Sequence, residues 1–319
     1  MKYILLLAIC FNSYAVTLKI GAIAPEGTNW AKTLKDLRRD VKKETDSRVN
    51  FRVYYGGVAG DEPDVLRKIR IGQFHGGVFT GKTLGDIVSD VRAIELPFNF
   101  LYNRDKGLKA VKALAPYYTE EFKKEGFTNL GFYEIGQVYV VSTKKITNIN
   151  EMKGIKMWSW QGDDLVKAMI ESLGLVSVPL SLPDVLSSLS TGIIDSAYAP
   201  PLGIIGLQWH NQVKYLINFP TAFSIGALLI SNKAWKKVSK KDQAIISKLA
   251  RKYIDQANEY AIKDNEEGLI FLKKNGIEFV EFSKEDIAKA ESIRQKVIEK
   301  VEDKVIKKET IKKINELRK

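Results

Sequence analysis

Cysteine is almost missing from this chain: its 319 residues hold one, Cys10. That cysteine sits in an apolar run from Tyr3 to Phe11, preceded by a lone Lys2 and followed by the small-x-small triplet Ser13-Tyr14-Ala15. This is the layout of a secretory signal, residues 1–15, with cleavage expected after Ala15. Ile9 is a poor residue before a lipidated cysteine, so plain secretion is preferred to lipidation of Cys10. Once the leader is removed, the mature chain has no disulfide, thiol nucleophile or Cys-ligated metal. Histidine is nearly as scarce, with only His75 and His210 and no metal-ligand spacing between them. No Gly-x-Ser-x-Gly elbow and no phosphate-binding Gly-x-x-x-x-Gly-Lys-Ser/Thr loop occurs. "GGVAG" after Tyr55 reads as a tight turn, not a dinucleotide fingerprint. Asp163-Asp164 diverge at a helix start and suit capping electrostatics better than paired acid–base work. These absences disfavour a hydrolase or transferase, and no cofactor or metal is expected. No later segment has the length of a membrane span, so a soluble mature chain is expected. Internal repeats and low-complexity linkers are missing too.

What is present is ordinary globular material. Hydrophobic residues make up 45% and charged residues 28%, which excludes disorder and allows a sizeable core. The net charge of +12 comes mostly from lysines scattered along helix-like segments such as "KKVSKKDQ" and "KVIKKETIKKINELRK". No Arg-rich patch with interleaved aromatics accompanies them, so a solvated surface is expected and no nucleic-acid partner. Attraction to an anionic membrane surface stays open.

Periodicity organises the chain. "VTLKIGAIAP" and "VNFRVYY" alternate as strands, and "TNWAKTLKDLRRDVKKET" between them repeats at helical spacing. A helix over 64–71 and a short strand at "GGVFT" follow, then the long β-like run "NLGFYEIGQVYVVST". "NINEMKGIKMWSW" opens a second set of α/β units. Strands alternating with helices predict an α/β architecture with largely parallel strands. From Ser239 to Gly276 one helical pattern runs for roughly 50 Å at 1.5 Å per residue, longer than one lobe needs. Ser-x-x-Asp signals open this helix (Ser239, Asp242) and the last one (Ser283, Asp286).

"GIKMWSWQGDD" (154–164) puts two of the five tryptophans, Trp158 and Trp160, two residues apart. On a strand these share one face with Lys156, while Ile155, Met157 and Ser159 take the other.

The flanking residues carry a resemblance. Met152-Lys153-Gly154-Ile155-Lys156, Leu173-Gly174, Val178-Pro179, Asp184-Val185, Leu189, Gly192 and Asp195 follow the order and spacing of a family signature. "YYGGVAGDEPDVLRKIRIGQFHGGVFT" and "ELPFNF" upstream, and "VKYL" and "ALLISNKAW" downstream, fit as well. Together they resemble the substrate-binding proteins of tripartite ATP-independent periplasmic (TRAP) transporters, the DctP family. The resemblance covers nearly the whole mature chain. It implies a two-lobed, type II-like periplasmic binding protein of α/β class, with hinge strands and a long helix spanning both lobes. Lobe I is expected over 16–138 plus 224–255 and lobe II over 139–223 plus 256–319. It also implies periplasmic residence, no enzymatic activity, hinge closure on a small-molecule ligand, and docking on TRAP-type permease subunits. A same-fold envelope protein for lipid handling or signalling is the alternative.

One departure stands out. Where the family pattern has an arginine for a ligand carboxylate, this chain has Trp158. The family's Asp-Gly-Gln-Glu-Asn-Pro run becomes Asp195-Ser196-Ala197-Tyr198-Ala199-Pro200. An arginine clamps a carboxylate bidentately; an indole offers an apolar face and one N–H. The expected ligand is therefore apolar, aromatic or amphipathic, with cation–π capture of a cation as a second possibility. Trp158 and Trp160 are expected at the cleft with Tyr198, joined by Trp30, Trp209 and His210, and by Phe79 and Thr80 of "GGVFT". No motif places Arg92 or Arg104 there. Truncating Trp158 is expected to spare the fold, because Ile155 and Met157 supply the core face.

Overall fold

The computed structural model describes residues 15–101 and 103–318; Cys10 and the expected signal segment up to Tyr14 lie outside them. Among the described residues nine strands form one mixed sheet. They are β1 (Val16–Ala22), β2 (Val49–Tyr54), β3 (Gly76–Thr80), β4 (Phe127–Ser142), β5 (Lys156–Ser159), β6 (Val176–Pro179), β7 (Ser196–Ala199), β8 (Tyr215–Ser231) and β9 (Glu278–Val280). The order is β2-β1-β3-β8-β4-β7-β5-β6, with β9 beside β8.

The expectation of largely parallel strands is corrected at the centre. β1 pairs in parallel with β2 and β3, and β5 with β6 and β7. The two long strands β4 and β8 run antiparallel to each other and to β7 and β3 respectively. They lie between the two parallel groups and belong to both, which makes the molecule two-lobed. Their ladder shifts register near Gly131 and Gly136, whose φ angles are 147° and 134°. Glycine is required there, because bulges with positive φ exclude a Cβ.

The long helix Lys240–Lys274 fastens onto this bent strand. Asn258 Oδ1 accepts from the Glu134 N–H at 2.7 Å, and Asn265 Nδ2 donates to the Ile135 carbonyl at 2.8 Å. The helix packs on the Asn29–Glu44 helix beside the first parallel group and on the Pro201–Gly206 helix beside the second. Its start is as read: Ser239 Oγ accepts from the Asp242 N–H, and Ser283 caps the Lys284–Val301 helix in the same way.

Three apolar clusters hold these layers. One lies between β1–β3 and the helices above (Leu18, Ile20, Val41, Phe51, Ile246). A second surrounds Val141, Trp158, Val185, Trp209 and Leu216. The largest runs along the opposite side of both halves, from Phe79 and Ile94 to Met157, Ile170 and Val297.

Candidate ligand-binding site

β5 is only four residues long, but parallel pairing on both sides fixes its pleat. Alternation sends Met157 into the large core and Trp158 to the other face. There Trp158 lies under Tyr198 of β7, ring centroids 4.9 Å apart and nearly parallel at 23°. Trp160 tilts against it at 5.1 Å, and Trp209 meets it edge-on at 5.4 Å. Trp158 Nε1 donates to the Leu180 carbonyl at 3.1 Å, which satisfies the one polar atom of a buried indole. Trp209 is set by a tight turn, for Gln208 before it has φ 61°. Phe98, which follows the wall residue Pro97, also has a positive φ, 58°.

These aromatics wall a cavity of about 150 Å³ between the two halves of the sheet. Trp30, at the start of the Asn29–Glu44 helix, closes it from the other side and leans on Tyr133 with centroids 5.7 Å apart. Ile23, Ile135, Val138, Leu165 and Met169 complete a mostly apolar lining.

One end of the cavity is charged. The 3₁₀ helix Ser89–Glu95 turns every three residues, so Arg92 and Glu95 align. Arg92 Nε lies 3.1 Å from Glu95 Oε2, and its terminal nitrogens donate to Asp163 Oδ2 at 3.2 Å. Asp163 also caps the Asp164–Ser172 helix, accepting from the Val166 N–H at 3.1 Å. Glu95 accepts from Ser224 Oγ at 3.0 Å and the Ile225 N–H at 3.1 Å. Burial opposes the Arg92 charge, yet Asp163 and Glu95 outweigh it and raise its pKa. Burial pushes Glu95 upward, with Arg92 pulling the other way. Gly81 and Gly85, one turn apart on the Gly81–Ile87 helix, make room for this group. A Cβ on Gly81 would fall inside the Glu95 carboxylate, and one on Gly85 would come within 2.7 Å of Arg92 Cγ. The Tyr198 hydroxyl, buried and without an acceptor, faces Arg92, Glu95 and Asp163.

Asp61 ties the halves together. Its carboxylate caps the Glu62–Arg70 helix, beside β3, by accepting from the Glu62 N–H at 2.8 Å. It also accepts from Trp160 Nε1 at 3.0 Å and from the Leu182 N–H at 3.1 Å, both in the β5–β7 half. The Arg92–Asp163 pair makes a second bridge across the cavity.

Trp30, Thr80, Trp158, Trp160, Tyr198 and Trp209 thus surround one cavity. Phe79 and His210 are not among its walls. Alternation on β3 turns Thr80 to the cavity and Phe79 into the large core. His210 packs edge-on against Phe271, with centroids 5.6 Å apart. Arg104 is engaged by Glu134 at 2.6 Å, outside the lining. Arg92 does stand in the cavity, where sequence reasoning had no motif to put it, and Glu95 comes with it. Asp163 caps its helix as read but also grips Arg92. Trp158 is 2% exposed and central to the second cluster, so the expectation that its loss spares the fold is corrected: it is wall and core together.

The model of "Bacterial extracellular solute-binding protein, family 7" (DctP) matches residues 20–304. An uncharacterised protein of Haemophilus influenzae is 28% identical over 81% of this chain and 79% of its own length. A TRAP periplasmic solute-binding protein of Haemophilus influenzae, solved with L-gulonate, superposes with a TM-score of 0.87 at 23% identity, covering 95% of this chain and 99% of that one. The sugar acid binding protein DctPAm of Advenella mimigardefordensis, solved with galactonate, gives 0.89 at 17% identity over 95% and 98%. The match over most of its length places this chain in bacterial extracellular solute-binding protein family 7, the DctP family of TRAP transport systems, and makes it a solute-binding protein, not an enzyme.

Proposed function

We propose that this solute-binding protein captures a small apolar, aromatic or amphipathic molecule in its interlobe cavity, in the periplasm, and delivers it to a TRAP-type permease. The cluster of Trp158, Trp160, Trp209 and Tyr198 carries the reading. The structural relatives named above hold gulonate and galactonate, hydroxyl-rich anions. Such ligands need many polar partners, because each buried hydroxyl left unpaired costs about 1–3 kcal/mol. This cavity offers ring faces and aliphatic side chains over most of its wall, and the Trp158 N–H is already taken by Leu180. An apolar body of a ligand is what such a wall stabilises. In this reading the lobes are 16–138 plus 224–255 and 139–223 plus 256–319, closing about the bend in β4 and β8. DctP-family proteins are periplasmic, and no helix among the described residues is long and apolar enough to cross a membrane.

Tryptophan fluorescence tests the reading, since four of the indoles line the cavity. Titration with small arenes such as indole or 2-phenylethanol should shift the emission and saturate. Saturation by galactonate or gulonate, with no response to any arene, would refute it.

A further inference from the structure

We infer that the ligand carries a cationic group, a protonated or quaternary amine, which is held at the Glu95–Asp163 end of the cavity while its apolar part lies on the indoles. This rests on the binding reading above and names the ligand class for the same cavity.

The charges lining the cavity are Lys82, Arg92, Glu95 and Asp163. Lys82 is already paired with Asp86 at 2.6 Å. Arg92 is left to serve two carboxylates, and its contacts go to Glu95 and Asp163. One negative charge is therefore in surplus at a buried site, in a chain whose overall charge is +12. The local sign is set by the site and opposes the background. Burial raises the Glu95 pKa, while Arg92, the Ile225 N–H and the Ser224 hydroxyl favour its charged form. A ligand cation completes the pairing that Arg92 alone leaves unfinished.

The features that would receive an anion are occupied by the chain itself. The guanidinium of Arg92 is engaged by Asp163 and Glu95. The N-terminus of the Asp164–Ser172 helix holds Asp163, and that of the Glu62–Arg70 helix holds Asp61. A carboxylate ligand must expel one of these acids, leaving it buried and unpaired. A cation displaces nothing. Tyr198 adjoins the acids and is stacked on Trp158, and an ammonium over the aromatic wall beside them gains cation–π attraction. The Tyr198 hydroxyl, whose proton has no acceptor, stands beside the same acids and can swing that proton away to leave its oxygen toward the cation.

Calorimetry with three probes of one shape and different charge decides the matter: phenethylammonium, 2-phenylethanol and phenylacetate, on protein freed of any resident ligand. Phenethylammonium should bind at least tenfold tighter than the alcohol, with phenylacetate weakest. Equal affinities would overturn the cationic assignment and leave the apolar reading standing. Phenylacetate binding tightest would overturn it too, and would make Asp163 a placeholder that yields Arg92 to an anion. No binding by any of the three, with galactonate bound, would sink the apolar reading itself. In Glu95→Gln the ratio of ammonium to alcohol affinity should fall at least tenfold; an unchanged ratio contradicts the assignment. The wild-type comparison stands even if that variant fails to fold.

Discussion

Trp158, at the position where the family resemblance led one to expect an arginine, is the centre of an aromatic cluster. Its indole touches three other aromatic rings and anchors its N–H on Leu180. Truncation to alanine leaves a large hole in a close-packed cluster. Trp158→Ala should lower stability by about 3–5 kcal/mol in denaturant titrations, and weaken binding of an arene ligand by about 2 kcal/mol or more. Trp158→Phe keeps the stack and loses the N–H, so most of the stability should remain; equal loss in both variants would mean the hydrogen bond dominates. That Trp158 faces the cavity was legible from alternation and from the family's pattern. That it is also core was not, because Tyr198 and Trp209 reach it from 40 and 51 positions away. Glu62 gives a pH signature of its own. It is 1% exposed and accepts from the Thr80 N–H and hydroxyl at 3.0 Å. Burial outweighs those donors and lifts its pKa to about 8. A carboxyl raised from about 4.3 in the unfolded chain stabilises the fold fully below that value, and the benefit fades as pH climbs through 8. The melting temperature should therefore fall from pH 5 to 8, and Glu62→Gln should flatten the slope. A wild-type profile that rises over this range would show that other groups govern it.

At the scale of elements, the site rests on short pieces that periodicity reads poorly. The 3₁₀ helix Ser89–Glu95 has no amphipathic repeat to betray it, yet it delivers both Arg92 and Glu95. Its partner, the Gly81–Ile87 helix, is spaced by Gly81 and Gly85 to admit them, a pairing visible in sequence only as two glycines four apart. Gly81→Ala should push the Glu95 carboxylate away from Ser224 and Arg92. Phenethylammonium affinity should drop several-fold or more while the far-ultraviolet circular dichroism stays that of the parent; unaltered affinity would mean that the Glu95 position does not matter. Elements with clean signals were legible: the strands β1, β2 and β3, the capped helices after Thr28, Ser239 and Ser283, and the long β4 run. Pro116 sits inside the Arg104–Lys124 helix and disguises it. The antiparallel centre was hidden because β8, which separates β3 from β4, begins 135 residues after β3 ends. No local pattern records so distant a pairing.

At the scale of the whole molecule, two sets of contacts cross the cavity. Asp61 grips Trp160 and Leu182, and Arg92 grips Asp163, each pair spanning the cavity. Closure in a two-lobed protein is an equilibrium that a ligand shifts only by its differential affinity for the closed form. Removing the built-in bridge should move that equilibrium. Ligand-free Asp61→Ala should show a larger radius of gyration than wild type in solution scattering, and an arene ligand should bring it back. Identical scattering curves would mean Asp61 contributes only its helix cap. The length and position of the long helix, and the membership of the chain in its family, could be read from sequence; the sign of charge in the cavity could not, because it depends on which acids fold onto Arg92. The proposed apolar ligand sets this cavity apart from the structural relatives that hold gulonate and galactonate. Native mass spectrometry of the protein taken from the cell envelope, followed by release and identification of what it carries, tests this most directly. An aromatic or amphipathic molecule bearing an amine is expected; a sugar acid or a dicarboxylate in the cavity would overturn the proposed ligand class.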